Sequence, residues 1–227
     1  IGPHLNANLP YKAIREGSDF TPIAHVANAT NLMVVPPGLP VANVREFIAY
    51  AKARPGQLNY ASSGNGTIVQ LTTEAFKSQA GLFITHIPYR GTALAIPDLV
   101  SNKVQLLFDS VVSGLPHVKD GKLKALAISS RTRSPLVPDV PTLHESGLPG
   151  FESVTWFGIY GPKGVPAAIV SRLNAEFNAA MKSPEVQERL ARLGAEPAPS
   201  NTPAQFAALV AADSARWAAL IKERKIT

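Results

Sequence analysis

The chain has 227 residues, 45% of them hydrophobic and 17% charged, with a net charge of +6, which is enough to bury a core in one large domain or two small ones. It has no cysteine, which excludes disulfides, thiolate metal sites and cysteine nucleophiles. Lys122, Lys124, Arg131 and Arg133 cluster without interleaved aromatic residues, so the positive charge reads as solvated surface with a mild attraction for anions, not as a nucleic-acid track.

Pro, Gly or a charge interrupts every apolar run well short of membrane-spanning length. No signal peptide is visible, though the sequence opens at Ile1 without methionine and that absence says little about export. Residues 1–22 read as loop, with Pro3, Pro10, Gly17 and Pro22. Ile23 to Val35 reads as one strand or two, ending at Pro36-Pro37-Gly38, a natural place to change structural unit. Val44, Phe47, Ile48 and Ala51 mark a helix closed by Pro55-Gly56.

From Leu58 the rhythm is strand, helix, strand, helix. Strands are expected at Leu58–Ala61, Phe83–Ile87, Val104–Phe108 and Leu123–Ile128. Helices are expected at Thr67–Ala80, at Ala93–Ser101 with a bend at Pro97, and near Val112–Val118. Such alternation predicts an α/β fold with a mixed or parallel sheet and helices on both faces. Residues 131–150 carry four prolines and read as a return linker, followed by a strand over Val154–Tyr160. Pro166 opens a helix with Val170, Leu173 and Phe177 inward, and Pro184 opens a second that Gly194 ends. Thr202-Pro203-Ala204-Gln205 is a capping box for a last helix carrying Phe206, Leu209, Val210, Trp217 and Leu220.

The segment with the most chemical content is Leu58 to Thr67. A short apolar run ends in Ser62-Ser63-Gly64-Asn65-Gly66-Thr67, and a helical pattern through Ile68, Leu71, Ala75 and Phe76 follows, stopped by Gly81. Amides at a helix N-terminus suit an anion, and glycines let a ligand approach the backbone. Ser62, Ser63, Asn65, Gly66 and Thr67 are thus candidate carboxylate or phosphate binders. The alternative is an ordinary strand-to-helix turn capped by Thr67 or Asn65. Two further features belong at the carboxyl ends of strands, where such sheets bind ligands: Tyr89-Arg90-Gly91-Thr92 and Asp109-Ser110. Arg90 would pair with a second carboxylate or face solvent. Tyr89 would touch an apolar ligand body or pack in the core. Asp109 would accept an amino group or hydroxyl of a ligand, or cap the next helix.

Other chemistry lacks its signature. None of the five histidines stands at a common zinc-ligand spacing, and no G-x-S-x-G elbow, S-x-x-K or P-loop occurs. Val69 stands where a dinucleotide fingerprint would have its third glycine. Asp98, imaginable as a carboxylate partner of Asp109, reads as the outer face of a helix. No cofactor, metal or catalytic residue is expected.

An ordered series of stretches resembles the receptors of tripartite tricarboxylate transporters, the Bug or TctC family. It runs through Asp19-Phe20-Thr21-Pro22-Ile23, Phe47 to Lys52 with Pro55-Gly56, Leu58 to Gly64 and Pro88-Tyr89-Arg90-Gly91-Thr92. Val104 to Asp109, Val140-Pro141-Thr142 and Ser146 to Phe151 complete it. The resemblance implies a periplasmic, two-lobed type II binding protein that clamps a di- or tricarboxylate, acidic amino acid or aromatic acid in an interlobe cleft and delivers it to membrane transporter subunits. It implies no direct membrane insertion. In this family a loop from each lobe holds the ligand carboxylate, and the second-lobe loop corresponds to Ser62–Thr67. Tyr89, Arg90, Gly91 and Asp109 lie on segments that line the cleft in such proteins. Residues 1–35 and 151–227 would form the first lobe and 36–150 the second. The family's opening strand and glycine-rich loop have no counterpart before Leu9-Pro10-Tyr11, so the first lobe is expected to be incomplete. A second departure is Gln70, where many members carry histidine or another polar residue. A ligand sensor serving a signalling partner, an enzyme acting on a small acid, and a shortened chain that binds nothing stay open as alternatives.

Overall fold

The computed structural model describes residues 1–5, 8–12 and 18–226, leaving Gly17 of the opening loop outside the described residues. The chain divides into two compact units, Ile1–Ala29 with Thr155–Thr227, and Thr30–Val154. The first division falls within the long strand β1 (Phe20–Val35), so Pro36-Pro37-Gly38 lies inside the second unit. β1 also begins earlier than Ile23 and takes in Pro22, which sits near its start, where a missing ladder donor is tolerated.

The unit spanning residues 30–154 is a mixed sheet flanked by helices. Its elements after β1 are α2 (Val44–Lys52), β2 (Asn59–Ser62), α3 (Ile68–Ala80), β3 (Thr85–Pro88) and α4 (Ile96–Val100). Then come β4 (Leu106–Ser110), α5 (Val111–Lys119) and β5 (Lys124–Ile128). The strand order is β3-β2-β4-β1-β5. β2 runs parallel to β3 and β4, while β1 runs antiparallel to β4 and β5. Alternating side chains build a core on each face. One gathers Met33, Val35, Tyr60, Leu106 and Phe108 with Phe47 of α2 and Phe76 of α3. The other gathers Leu32, Val34, Ala61 and Leu107 with Ile96, Leu99 and Val111.

Local sequence explains the helix ends. Asn43 caps α2 by accepting from Glu46 N, and Thr67 caps α3 by accepting from Gln70 N. Gly81 ends α3 in the left-handed conformation, φ +66°. The helix expected over Ala93–Ser101 is instead a 3-10 turn at Thr92–Leu94 followed by α4. Pro97 sits in the first turn of α4, where its missing N–H costs nothing, so the chain breaks before it rather than bending at it. Residues 131–150 are not a free linker. Val137, Leu143 and Leu148 are buried in the cores of this unit, and Thr142 bridges to Ile128.

The unit formed by residues 1–29 and 155–227 contains the short helix α1 (Gly2–Leu5), the first part of β1, β6 (Val154–Pro162), α6 (Ala167–Ala180), α7 (Pro184–Arg192), β7 (Glu196–Pro197) and α8 (Pro203–Arg224). Both β6 and β7 pair with β1. Ile23, Ala24 and Val170 form a small core with Val26, Ile159 and Phe177 against it. Leu173, expected inward, is 36% exposed. Buried Asn174 takes the inward place on α6, donating to Ile23 O and Asn201 O. The capping box at Thr202 and Gln205 is formed. Phe206, one residue beyond it, is buried against the backbone of Gly158.

A Cβ on Gly158 would lie 2.0 Å from Phe206 Cζ, so Gly158→Ala should lower unfolding free energy by about 3 kcal/mol in urea titrations. Gly38→Ala, with nothing within 4 Å, should change it by less than about 0.5 kcal/mol. Glu74 Oε1, on α3, accepts from Tyr60 OH at 2.6 Å and from Lys77 Nζ, all three residues being buried. Glu74→Ala strips a buried ammonium of its carboxylate and should cost about 3–5 kcal/mol. The double change Glu74→Leu, Lys77→Met should cost much less, since it removes both charges; an equal cost would mean the pair is not what the interior depends on.

Candidate functional site

Parallel pairing of β2 with β3 and β4 gives all three strands the same C-terminal edge. Ser62 is in register with Pro88, and Ala61 with Leu107. Asp109 lies two residues beyond Leu107, as Ser63 lies two beyond Ala61. The three sequence-predicted segments therefore share one edge of the sheet. Tyr89 N also donates to Ser62 O at 3.0 Å, tying the second segment to the first.

The loop Ser62–Thr67 holds its shape through its own polar groups. Ser62 is fully buried. Its Oγ donates to Gly64 O at 3.1 Å and accepts from Gly64 N at 3.2 Å. Thr67 Oγ1 donates to Gly64 O at 2.8 Å and caps α3. Gly64 and Gly66 have φ of +129° and +72°, which side chains rarely adopt. The hydroxyls of Ser62 and Thr67 are thus committed to the loop, which corrects the expectation that they offer hydrogen bonds outward. Gly66 N is also occupied, donating to Gln70 Oε1 at 2.6 Å.

Much of the loop backbone stays open. Among the described residues, the amides of Ser63, Asn65, Thr67, Ile68 and Val69 have no hydrogen-bond partner. They stand at the positive end of α3, a helix of 13 residues, where the macrodipole favours negative charge. This arrangement can bind an anion through main-chain donors and needs no side-chain cation.

The other predicted residues divide by what already holds them. Tyr89 OH donates to Asp98 Oδ2 at 2.8 Å. Burial and that bond push the phenol up to about 12, so Tyr89 stays neutral, with its hydroxyl turned to Asp98. The Tyr89 bond, with Lys103 beside it, holds Asp98 below the usual carboxylate range. Arg90 is exposed and, among the described residues, makes no ion pair or hydrogen bond. Gly91 has φ +107° at the start of the 3-10 turn. Asp109 is 2% exposed and does not cap α5; Ser110 does, accepting from Ser113 N. Asp109 Oδ1 accepts from Ser110 N at 2.9 Å, whereas Oδ2 is buried without a partner. Asn31 Nδ2, on the neighbouring strand β1, is likewise buried without a partner. A buried lone carboxylate oxygen is costly, and such sites are where a donor from a ligand gains most.

His86 carries a role that its sequence position does not advertise. It stacks on Tyr60 with ring centroids 4.8 Å apart, its Nε2 lies 2.6 Å from Ser62 Oγ, and its Nδ1 lies 3.2 Å from Gln70 Nε2. A visible signal existed in its place on the strand after α3, opposite Tyr60 once β2 and β3 pair. Ser62 and His86 resemble a nucleophile and base in spacing, but the serine is buried and a glutamine, not a carboxylate, faces the other ring nitrogen. Among the described residues no cluster of His, Asp or Glu could hold a metal ion, and no helix is long and apolar enough to cross a membrane.

Comparison with known proteins gives this geometry a context. The family model for the tripartite tricarboxylate transporter family receptor matches residues 1–226. A protein encoded in the tcbD-tcbE intergenic region of a Pseudomonas species is 37% identical over 96% of the chain, and the chain spans only 64% of that relative's length. The structure of Rpa4515 from R. palustris with adipate superposes with a TM-score of 0.79 at 35% identity, covering 100% of this chain and 76% of the other. MatC from Rhodopseudomonas palustris with bound malate gives 0.76 at 33% identity, covering 97% and 74%. The mixed sheet, its flanking helices and the family match over residues 1–226 together place this chain in the TctC family of tripartite tricarboxylate transporter receptors.

Proposed function

We propose that this chain is an extracytoplasmic, periplasmic solute receptor that captures a small organic carboxylate at the head of α3 and delivers it to the membrane subunits of a tripartite tricarboxylate transporter. The observation that carries the proposal is the set of open amides at the positive end of that helix, those of Ser63, Asn65, Thr67, Ile68 and Val69, which have no hydrogen-bond partner among the described residues. The relatives solved with adipate and malate support a carboxylate as the ligand. Ser63 and Asn65 flank the open amides, Gly66 keeps the approach clear, and Arg90 at the same edge takes a second carboxylate. Tyr89 and Gly91 line the neighbouring turn. The protein binds and releases its ligand unchanged.

Asp109 narrows the ligand class. A carboxylate beside a bound acid repels it unless the acid brings a donor, so Asp109 favours acids that carry a hydroxyl or ammonium group. Thermal shift and calorimetry with malate, succinate, adipate, citrate, aspartate, glutamate and benzoate test this directly. A saturable shift with a hydroxy or amino acid is expected. Asp109→Asn should weaken that ligand by about 2 kcal/mol, or roughly thirty-fold, while changing succinate little. Equal loss for all acids would make Asp109 structural. Gly66→Val, which forces a β-branched residue to φ +72°, should abolish binding; full binding by that variant would remove the loop from the site.

A further inference from the structure

Two loop amides are already engaged, Gly64 on Ser62 and Gly66 on Gln70, and the bond that holds Gly66 has a direction. Because Gly66 N–H donates to Gln70 Oε1, the NH2 end of the Gln70 amide faces His86 Nδ1. Nδ1 must therefore accept, and the ring proton sits on Nε2, from which it is donated to Ser62 Oγ. Ser62 Oγ in turn donates to Gly64 O. The series begins and ends on the loop backbone, and each polarity in it requires a neutral His86.

An imidazolium cannot keep this arrangement. Its Nδ1–H would point at the Gln70 NH2 group, donor against donor. Turning the Gln70 amide over restores an acceptor to Nδ1–H, but it then presents NH2 to Gly66 N–H. The Gly66 amide is released beside the other open amides, and a positive charge appears behind the loop. The groups facing the ring are Tyr60 on β2 and the Glu74–Lys77 pair on α3. Burial holds the imidazole below its ordinary 6.5; Glu74 opposes that shift and Lys77 adds to it.

We propose that Gln70 and His86 are positioning residues of the anion loop: neutral His86 keeps the Gly66 amide on Gln70, and protonated His86 hands that amide to a bound carboxylate. This rests on the reading of the loop as a carboxylate site. Proton uptake and acid binding then reinforce each other, by the reciprocity that couples any two linked sites. The sign for the unliganded chain is opposite. The folded ring binds its proton more weakly than the unfolded one, so its contribution to stability is complete above 6.5 and is lost as pH falls through the lowered folded value.

Two readouts separate the relay from the carboxylate reading. Without ligand, nitrogen and proton NMR of the whole chain should show the Nε2–H tautomer of His86 and a Gly66 amide signal that moves with the His86 midpoint. Gln70→Ala should uncouple the two. A Gly66 amide indifferent to the His86 titration overturns the relay, whatever the chain binds. With malate as probe, calorimetry from about pH 7.5 to 5.5 should show affinity rising about ten-fold relative to His86→Asn, which corrects for ionisation of malate itself. Parallel pH dependence in the two proteins also overturns the relay. Failure of malate and adipate to bind at either pH counts against the carboxylate reading, and the ligand-free NMR result still decides the relay.

Discussion

The site depends on one constraint: β2 pairs in parallel with both β3 and β4. Parallel strands need crossovers, and the helices of those crossovers begin where the strands end. That geometry puts the Ser62–Thr67 loop, the Tyr89–Gly91 turn and Asp109 along one edge and aims α3 at the same place. An antiparallel β2 would send the loop to the opposite edge of the sheet. The register is held from below by Tyr60, Leu106 and Phe108 packing with Phe47 and Phe76 on one face, and by Ala61 and Leu107 on the other. A slip of one residue would exchange those two sets and bury Ser62 in the apolar layer.

Above that apolar layer the balance shifts to polar groups. Ser62, Gln70, His86, Tyr60, Glu74 and Lys77 place hydrogen-bonding atoms between β2, β3 and α3. Each would be costly if left unmet, at about 1–3 kcal/mol for a buried neutral group and more for a charge. The loop meets that demand by consuming its own hydroxyls. Main-chain donors at the head of α3 are left over, and a helix N-terminus suits an anion without a fixed cation. Asp109 Oδ2 and Asn31 Nδ2 are the two strand-borne exceptions.

The element rhythm, the turn glycines and the helix caps were legible because each rests on local chemistry. Thr67 as cap, Gly81 as stop and the capping box at Thr202 needed only neighbours within four residues. The shared edge of Ser62, Tyr89 and Asp109 was legible from the alternation alone. Errors arose where tertiary contact decides. Ser62 and Thr67 read as ligand donors until the loop was seen to use them. Leu173 fits a helical stripe, yet Asn174 is the buried side chain because it ties α6 to β1 and to Asn201. The place of His86 is not legible locally, because its partners, Tyr60 and Gln70, come from separate elements. Residues 131–150 read as linker from proline content, but Leu143 and Leu148 carry the burial that fixes them.

If this chain is the receptor proposed above, main-chain amides at the head of α3 hold a ligand carboxylate. The most direct measurement is a crystal structure of this chain grown with malate. A malate carboxylate oxygen is expected within about 3 Å of amides between Ser63 and Val69. Malate bound elsewhere, with those amides turned to water, would contradict it.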